Sequence, residues 1–194
     1  NGNNGTLTNG PTYSSDNGGS IVFDGTNDIV SLGNPSSLNF GTGNFTLIFS
    51  TYRTSYGFQG GSYITKGVAG SPGFEFRDLH FYIVGGTSTL IAKTPFLAGQ
   101  NVWQNHSLVF DRSSSPYVKY YRDGSFYASS TTNNSTDINS SIDTTRNLEI
   151  GRSQGGGIDR YFNGNVSQVS IYNRALTASE VQQNYNATRS RYGL

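Results

Sequence analysis

Turn-forming clusters set the rhythm of this chain. Gly, Asn, Asp and Ser bunch roughly every 8–12 residues, and short β-branched and aromatic runs lie between them. Asp123-Gly124 is the sharpest of these breaks. Asp-Gly supplies the positive φ that a two-residue hairpin needs, so segments 117–122 and 126–129 are expected to fold back on each other. Segment 45–52 alternates, with Phe45, Leu47 and Phe49 on one side and Thr46, Ile48 and Ser50 on the other. Further strands are expected at 20–23, 28–32, 63–66, 73–77, 79–84, 89–93, 103–111, 147–150 and 165–172. A chain punctuated in this way folds as antiparallel β-structure, and the fold class expected is an all-β, two-sheet sandwich.

One helix interrupts the pattern. Thr177-Ala178-Ser179-Glu180 reads as a capping box, with Leu176 and Val181 placed to form a hydrophobic staple across it. Val181 and Tyr185 then share a face four residues apart, so a short C-terminal helix should pack against the sandwich.

The chain has 194 residues, enough for one sandwich with its own core. Charged residues make up 13% of it, about half the usual share, so Asn, Ser, Thr, Gln and Gly must form the polar surface. Such a neutral surface is common in extracellular and virion proteins. The net charge of +1 is scattered, without the basic face that nucleic acid requires. Arg174, Arg189 and Arg191 read as solvated surface. Cys is absent, which excludes disulfides and structural zinc. No apolar run approaches the ~20 residues of a transmembrane helix. The chain lacks Met and opens Asn1-Gly2-Asn3-Asn4-Gly5. Residues 1–12 therefore read as a linker or N-terminal extension, 13–194 as one domain, and the whole as a piece of a larger exported or virion protein.

Three segments in order resemble the laminin-G-like domains of the concanavalin A-like lectin/glucanase superfamily, of the type found in phage and bacterial surface proteins. They are Ile21-Val22-Phe23-Asp24-Gly25-Thr26-Asn27-Asp28-Ile29-Val30, then Trp103 to Asp111 with Tyr120-Tyr121-Arg122-Asp123-Gly124, then Leu148-Glu149-Ile150-Gly151 through Phe162-Asn163-Gly164 to Ala175-Leu176-Thr177. The resemblance implies a jelly-roll sandwich in which Trp103 packs in the core.

The resemblance also implies sugar binding, in which flat aromatic rings stack on pyranose faces and amides reach the hydroxyls. Two segments have that mixture. One supplies Tyr52, Arg53, Tyr56, Phe58 and Gln59, and the other Gln154, Asp159, Arg160 and Tyr161. Tyr and Arg are equally favoured at protein interfaces, so a virion structural or decoration role with a protein partner stands as the alternative. The resemblance further implies Ca²⁺ held by loop oxygens, for which Asp24, Asp28 and Asp159 are the candidates. Ser167 stands where the family often has an Asp ligand, and Asp side chains in turns otherwise serve their own backbone.

Catalysis finds little support. The superfamily's hydrolases carry two glutamates and an aspartate on one strand, whereas Glu75 has only Asp78 nearby, three positions on and so on the opposite face. Glu180 is accounted for by the capping box. His80 and His106 lie in apolar strand patterns and read as packed residues rather than triad members. Gly155-Gly156-Gly157 lacks the Lys and the helix of a phosphate loop.

Overall fold

The structure, a computed structural model, describes residues 2–56, 61–67, 70–77, 80–86, 90–96, 98–153 and 159–194. The strands, in chain order, are β1 (Thr6–Thr8), β2 (Thr12–Ser14), β3 (Ser20–Asp24), β4 (Ile29–Ser31), β5 (Phe45–Arg53), β6 (Ser62–Gly67), β7 (Gly73–Arg77), β8 (His80–Val84) and β9 (Leu90–Pro95). They continue as β10 (Trp103–Phe110), β11 (Val118–Arg122), β12 (Ser125–Ser129), β13 (Thr132–Asn133), β14 (Leu148–Ile150), β15 (Arg152–Ser153), β16 (Arg160–Tyr161) and β17 (Asn163–Tyr172). One helix, α1 (Ala178–Thr188), follows, and a 3-10 turn (Arg189–Tyr192) closes the chain.

Among the described residues the strands form two large antiparallel sheets. One runs β1-β4-β14-β6-β7-β8-β9-β13, the other β12-β11-β10-β5-β17-β3-β2, and β15-β16 is a separate hairpin. This is the expected sandwich. Within residues 1–12, expected as a linker or N-terminal extension, the chain already carries strand structure. Thr6–Thr8 pairs with β4 in one sheet and Thr12–Ser14 with β3 in the other, so the chain crosses between the sheets at its start. Both strands are three residues long and mostly exposed, too short and too polar to show an apolar alternation.

The alternation of β5 holds. Phe45, Leu47 and Phe49 enter the aromatic core with Phe74, Phe76, Phe81 and Phe110. Rings meet edge-on or tilted, as at Phe49–Phe76 (4.7 Å) and Phe76–Phe96 (4.3 Å). His106 lies among these rings and is fully buried. Its Nε2 meets Thr51 Oγ1 at 3.0 Å and its Nδ1 meets the Tyr120 hydroxyl at 2.9 Å. Burial, with help from Arg122 and Arg53, lowers its pKa to about 3.

The opposite face of the seven-stranded sheet is covered by α1. Ile48, Val109 and Tyr121 pack against Leu176 and Val181. The capping box is present: Thr177 N–H donates to Glu180 Oε2 (2.8 Å) and Glu180 N–H to Thr177 Oγ1 (3.3 Å). Arg174, read from sequence as solvated, forks both Glu180 oxygens at 2.9 and 2.7 Å. The Asp123-Gly124 turn takes φ values of 51° and 74°, the paired positive angles of a type I′ hairpin. Trp103 corrects the sequence reading. It is buried, but it lies outside the space between the sheets, packed between Tyr52 (5.9 Å) and Tyr192 (4.8 Å) of the closing turn.

Two outcomes are expected. Thr177→Ala should cost about 1 kcal/mol, read as a fall in Tm of a few degrees. The His106 pKa is depressed in the folded chain, so its contribution is intact above about pH 6.5 and is lost as pH falls towards 3. Up to roughly 1.4 kcal/mol per pH unit is at stake. Chemical denaturation at pH 7.5 and 4.5 should show a shallower pH dependence for His106→Gln than for the wild type.

Candidate functional site

One end of the sandwich collects the loops named by the sequence. β5 leads out of the core into segment 54–56, and its last residue, Arg53, still points inward. Arg53 is 1% exposed. Its guanidinium donates to the Ala98 carbonyl and lies 3.6 Å from the centre of the Tyr56 ring. Tyr56 is 45% exposed, so a buried cation backs a ring that faces solvent.

Hydrogen bonds tie the neighbouring loops to this ring. Thr54 N–H donates to Asn163 O (3.1 Å), Asn101 N–H to Arg53 O (2.7 Å) and the Gln100 amide to Thr54 O (2.8 Å). Gly61 N–H donates to Tyr56 O (3.2 Å). Gly61 also lies against the β16 backbone, where an added Cβ would come within 2.6 Å of Tyr161 O. That approach joins two segments a hundred residues apart in sequence.

The β15–β16 hairpin supplies the other side chains. Tyr161 hydroxyl donates to Asp159 Oδ2 (3.2 Å). Arg152, opposite Tyr161, forks Glu149 at 2.8 and 3.0 Å. Burial would lower the Arg152 pKa, but Glu149, Tyr161 and Asp159 outweigh it and raise it. Arg160 is half-buried on the same hairpin. The structure therefore brings Arg53, Tyr56, Asp159, Arg160 and Tyr161 to one end of the molecule. Tyr52 instead lies against Trp103 on the outer face of its sheet. Phe58, Gln59 and Gln154 lie outside the described residues, as does Asp78.

The calcium candidates are engaged in turn geometry. Asp24 Oδ1 accepts from Thr26 N–H (2.7 Å), and Asp28 Oδ2 from Asp24 N–H (2.9 Å). Asp159 is bonded to Tyr161. Among the described residues no three His, Asp or Glu side chains cluster together. Ser167, in place of an acidic ligand, donates to Gly19 O (2.7 Å) and meets the Tyr192 hydroxyl (2.8 Å), pinning the closing turn.

Sequence reasoning missed a polar row on the outer face of the eight-stranded sheet. Register places Glu149, Thr65, Glu75, Tyr82 and Lys93 side by side on five strands. Arg77 lies 3.5 Å from Glu75 and stacks on Tyr82 at 4.3 Å. The only signal in the sequence was period-two spacing of polar and aromatic side chains in 73–77 and 80–84. A cleft of about 620 Å³ also opens at the sandwich edge, between Val30 and Leu32 on one sheet and Val169 and Ile171 on the other.

No curated protein sequence matches the chain. Solved structures do. The binding domain of Paraclostridial Mosquitocidal Protein 1 superposes with a TM-score of 0.68 at 15% identity, over 96% of this chain and 48% of that one. The binding domain of Botulinum Neurotoxin DC, in complex with SialylT, gives 0.69 at 10% identity, over 96% and 47%. Domain 4 of AbnA, a GH43 extracellular arabinanase from Geobacillus stearothermophilus, in complex with arabinotriose, gives 0.68 at 14% identity, over 92% and 86%. The chain thus spans about half the length of the toxin binding domains it matches. These likenesses concern the fold. In sequence, a laminin-G family model matches residues 24–182, from the end of β3 to the middle of α1, and the chain belongs to the Concanavalin A-like lectin/glucanases superfamily.

Proposed function

We propose that this domain is a non-catalytic carbohydrate-binding module whose site is the loop end carrying Tyr56, Asp159, Arg160 and Tyr161. The observation that carries this reading is the Tyr56 ring, exposed on one side and held on the other by the buried Arg53 guanidinium. A ring fixed before binding offers apolar area with little further loss of side-chain entropy. Asp159, Arg160 and the Tyr161 hydroxyl supply acceptors and donors nearby for sugar hydroxyls. Structures of the same fold include a neurotoxin binding domain solved with SialylT and an arabinanase domain solved with arabinotriose, which supports the glycan class. The neutral, Asn- and Ser-rich surface suits a domain of an extracellular or virion-surface protein.

Phe126 favours a second reading, in which the partner is protein. It is 60% exposed on β12, the edge strand of the seven-stranded sheet. An edge strand with an exposed aromatic residue is suited to pairing with another chain. Sedimentation of the wild type and of Phe126→Lys separates the readings: self-association lost in the variant supports a structural role.

A glycan array probed with the folded domain, with and without about 5 mM Ca²⁺, tests the first reading. Selective binding is expected, unchanged by Ca²⁺ because Asp24 and Asp28 are engaged with backbone. Tyr56→Ala should weaken it about tenfold, or roughly 1.4 kcal/mol, at unchanged secondary structure. Gly61→Ala should weaken it too, and cost about 1–3 kcal/mol of stability, by pushing segment 54–56 away from Tyr161. A folded domain that binds no glycan, or binds equally well as Tyr56→Ala, would sink the proposal.

A further inference from the structure

β17 runs from Asn163 to Tyr172, but its two sides are not equally paired. β5 accompanies it as far as Tyr172, whereas β3 pairs only with Asn163–Val166. Among the described residues no strand pairs with Val169–Tyr172 on the side away from β5. In an antiparallel ladder the backbone groups of successive residues point alternately to the two sides. Half of those in Val169–Tyr172 therefore face an open edge in the middle of a sheet.

This edge borders the cleft of about 620 Å³. Val169 and Ile171 stand in register with Phe49 and Leu47 and so point between the sheets. Phe49 and Leu47 are buried, but Val169 and Ile171 are only half-buried. Val30 and Leu32, also half-buried, line the cleft from the other sheet. At its mouth the Ser37 hydroxyl donates to Asn3 Oδ1 (3.0 Å), and no charged side chain lines it. Half-covered core side chains and an open strand edge thus occur at the same place. One added strand would cover the first and pair the second.

We infer that the cleft receives an extended segment of a partner protein, which adds to the open edge of β17 as a strand. The segment is about five residues long, enough to span Val169–Tyr172 at about 3.3 Å per residue. Every second side chain enters the space between the sheets and is apolar. The intervening ones lie beside Ser170 on the outer face and are polar. The uncharged lining calls for a neutral segment. The partner is a different chain, because a two-fold contact needs the same edge to protrude from both copies, and this one is recessed in a cleft. The inference rests neither on the Tyr56 loop end nor on β12, which is the far edge of the same sheet.

The probe is a capped peptide, Ac-Thr-Val-Thr-Ile-Thr-NH2, titrated into the whole domain and followed by NMR. Exchange of the open-edge amides of Val169–Tyr172 should slow about tenfold near saturation. Ac-Thr-Asn-Thr-Asn-Thr-NH2 offers the same backbone without the apolar side chains and should leave exchange unchanged. Ile171→Thr and, on the facing wall, Val30→Thr keep β-branched side chains in their strands and should each weaken peptide binding about fivefold, with the far-UV spectrum unchanged. Tyr56→Ala and Phe126→Lys should leave binding intact. The inference is overturned if the peptide slows no β17 amide up to about 2 mM. It is also overturned if the Asn peptide protects equally, or if Ile171→Thr and Val30→Thr bind as the wild type does. Octyl glucoside is the competing probe: if it shifts the Val30 and Val169 methyl signals and the peptide does not, the cleft takes a neutral amphiphile and the inference falls. A dimer of the domain alone, dissociated by Ile171→Thr in sedimentation, would overturn it too by making the occupant a second copy.

Discussion

The two-residue period of β5 is the constraint on which the rest of the structure depends. This strand sits between β10 and β17, and every second side chain faces the other sheet. Phe45, Leu47 and Phe49 build the core, Thr51 bonds the buried His106, and Arg53 reaches the rim under Tyr56. A one-residue slip would turn all five to the helix side and bring Ile48, now covered by α1, into the core. Core, buried polar network and the seat of the Tyr56 ring are therefore one register, and that seat cannot shift without the core shifting too.

Much of this was legible in the sequence because the signals are local. The hairpin at Asp123-Gly124 needs only its two residues, and the cap at Thr177 only four. The alternation of β5 is contained within nine positions. What was not legible depends on pairings between distant segments. Gly61 contacts Tyr161 across a hundred residues, and Glu149 and Glu75 become near neighbours only because β6 lies between β14 and β7. Glu75 was therefore compared with Asp78, its neighbour in sequence, when its spatial neighbours are Thr65, Tyr82 and Arg77. Trp103 was misplaced for a related reason. β10 is buried on both faces, one by the other sheet and one by the C-terminal segment, so burial alone could not say which face the Trp occupied.

The scarcity of charge gives each ion pair a defined task. Arg174 holds Glu180 at the helix start, where a carboxylate also meets the positive end of the helix dipole. Burial would raise the Glu180 pKa, but the Arg174 and Thr177 hydrogen bonds bring it down to about 2. Arg152 ties the β15–β16 hairpin to the eight-stranded sheet through Glu149. Arg77 covers Glu75 in the same sheet. Pairs of this kind add little stability where solvent reaches them, so what they supply is position.

Position is what a binding module with a neutral surface most needs. Without a strong field to steer ligands, selectivity must come from groups already held where the ligand will meet them. At the loop end, the buried Arg53 holds the ring of Tyr56, and the hairpin holds Tyr161 beside Asp159. On the sheet face, the pleat does the same work through cross-strand neighbours, which keep Lys93 opposite Tyr82 and Tyr82 opposite Glu75. The two surfaces differ in what fixes them. Loop contacts can open locally at low cost, whereas the sheet face can rearrange only if central strands separate. The loop end can therefore adjust by small loop movements, while the sheet face holds a fixed array of charge.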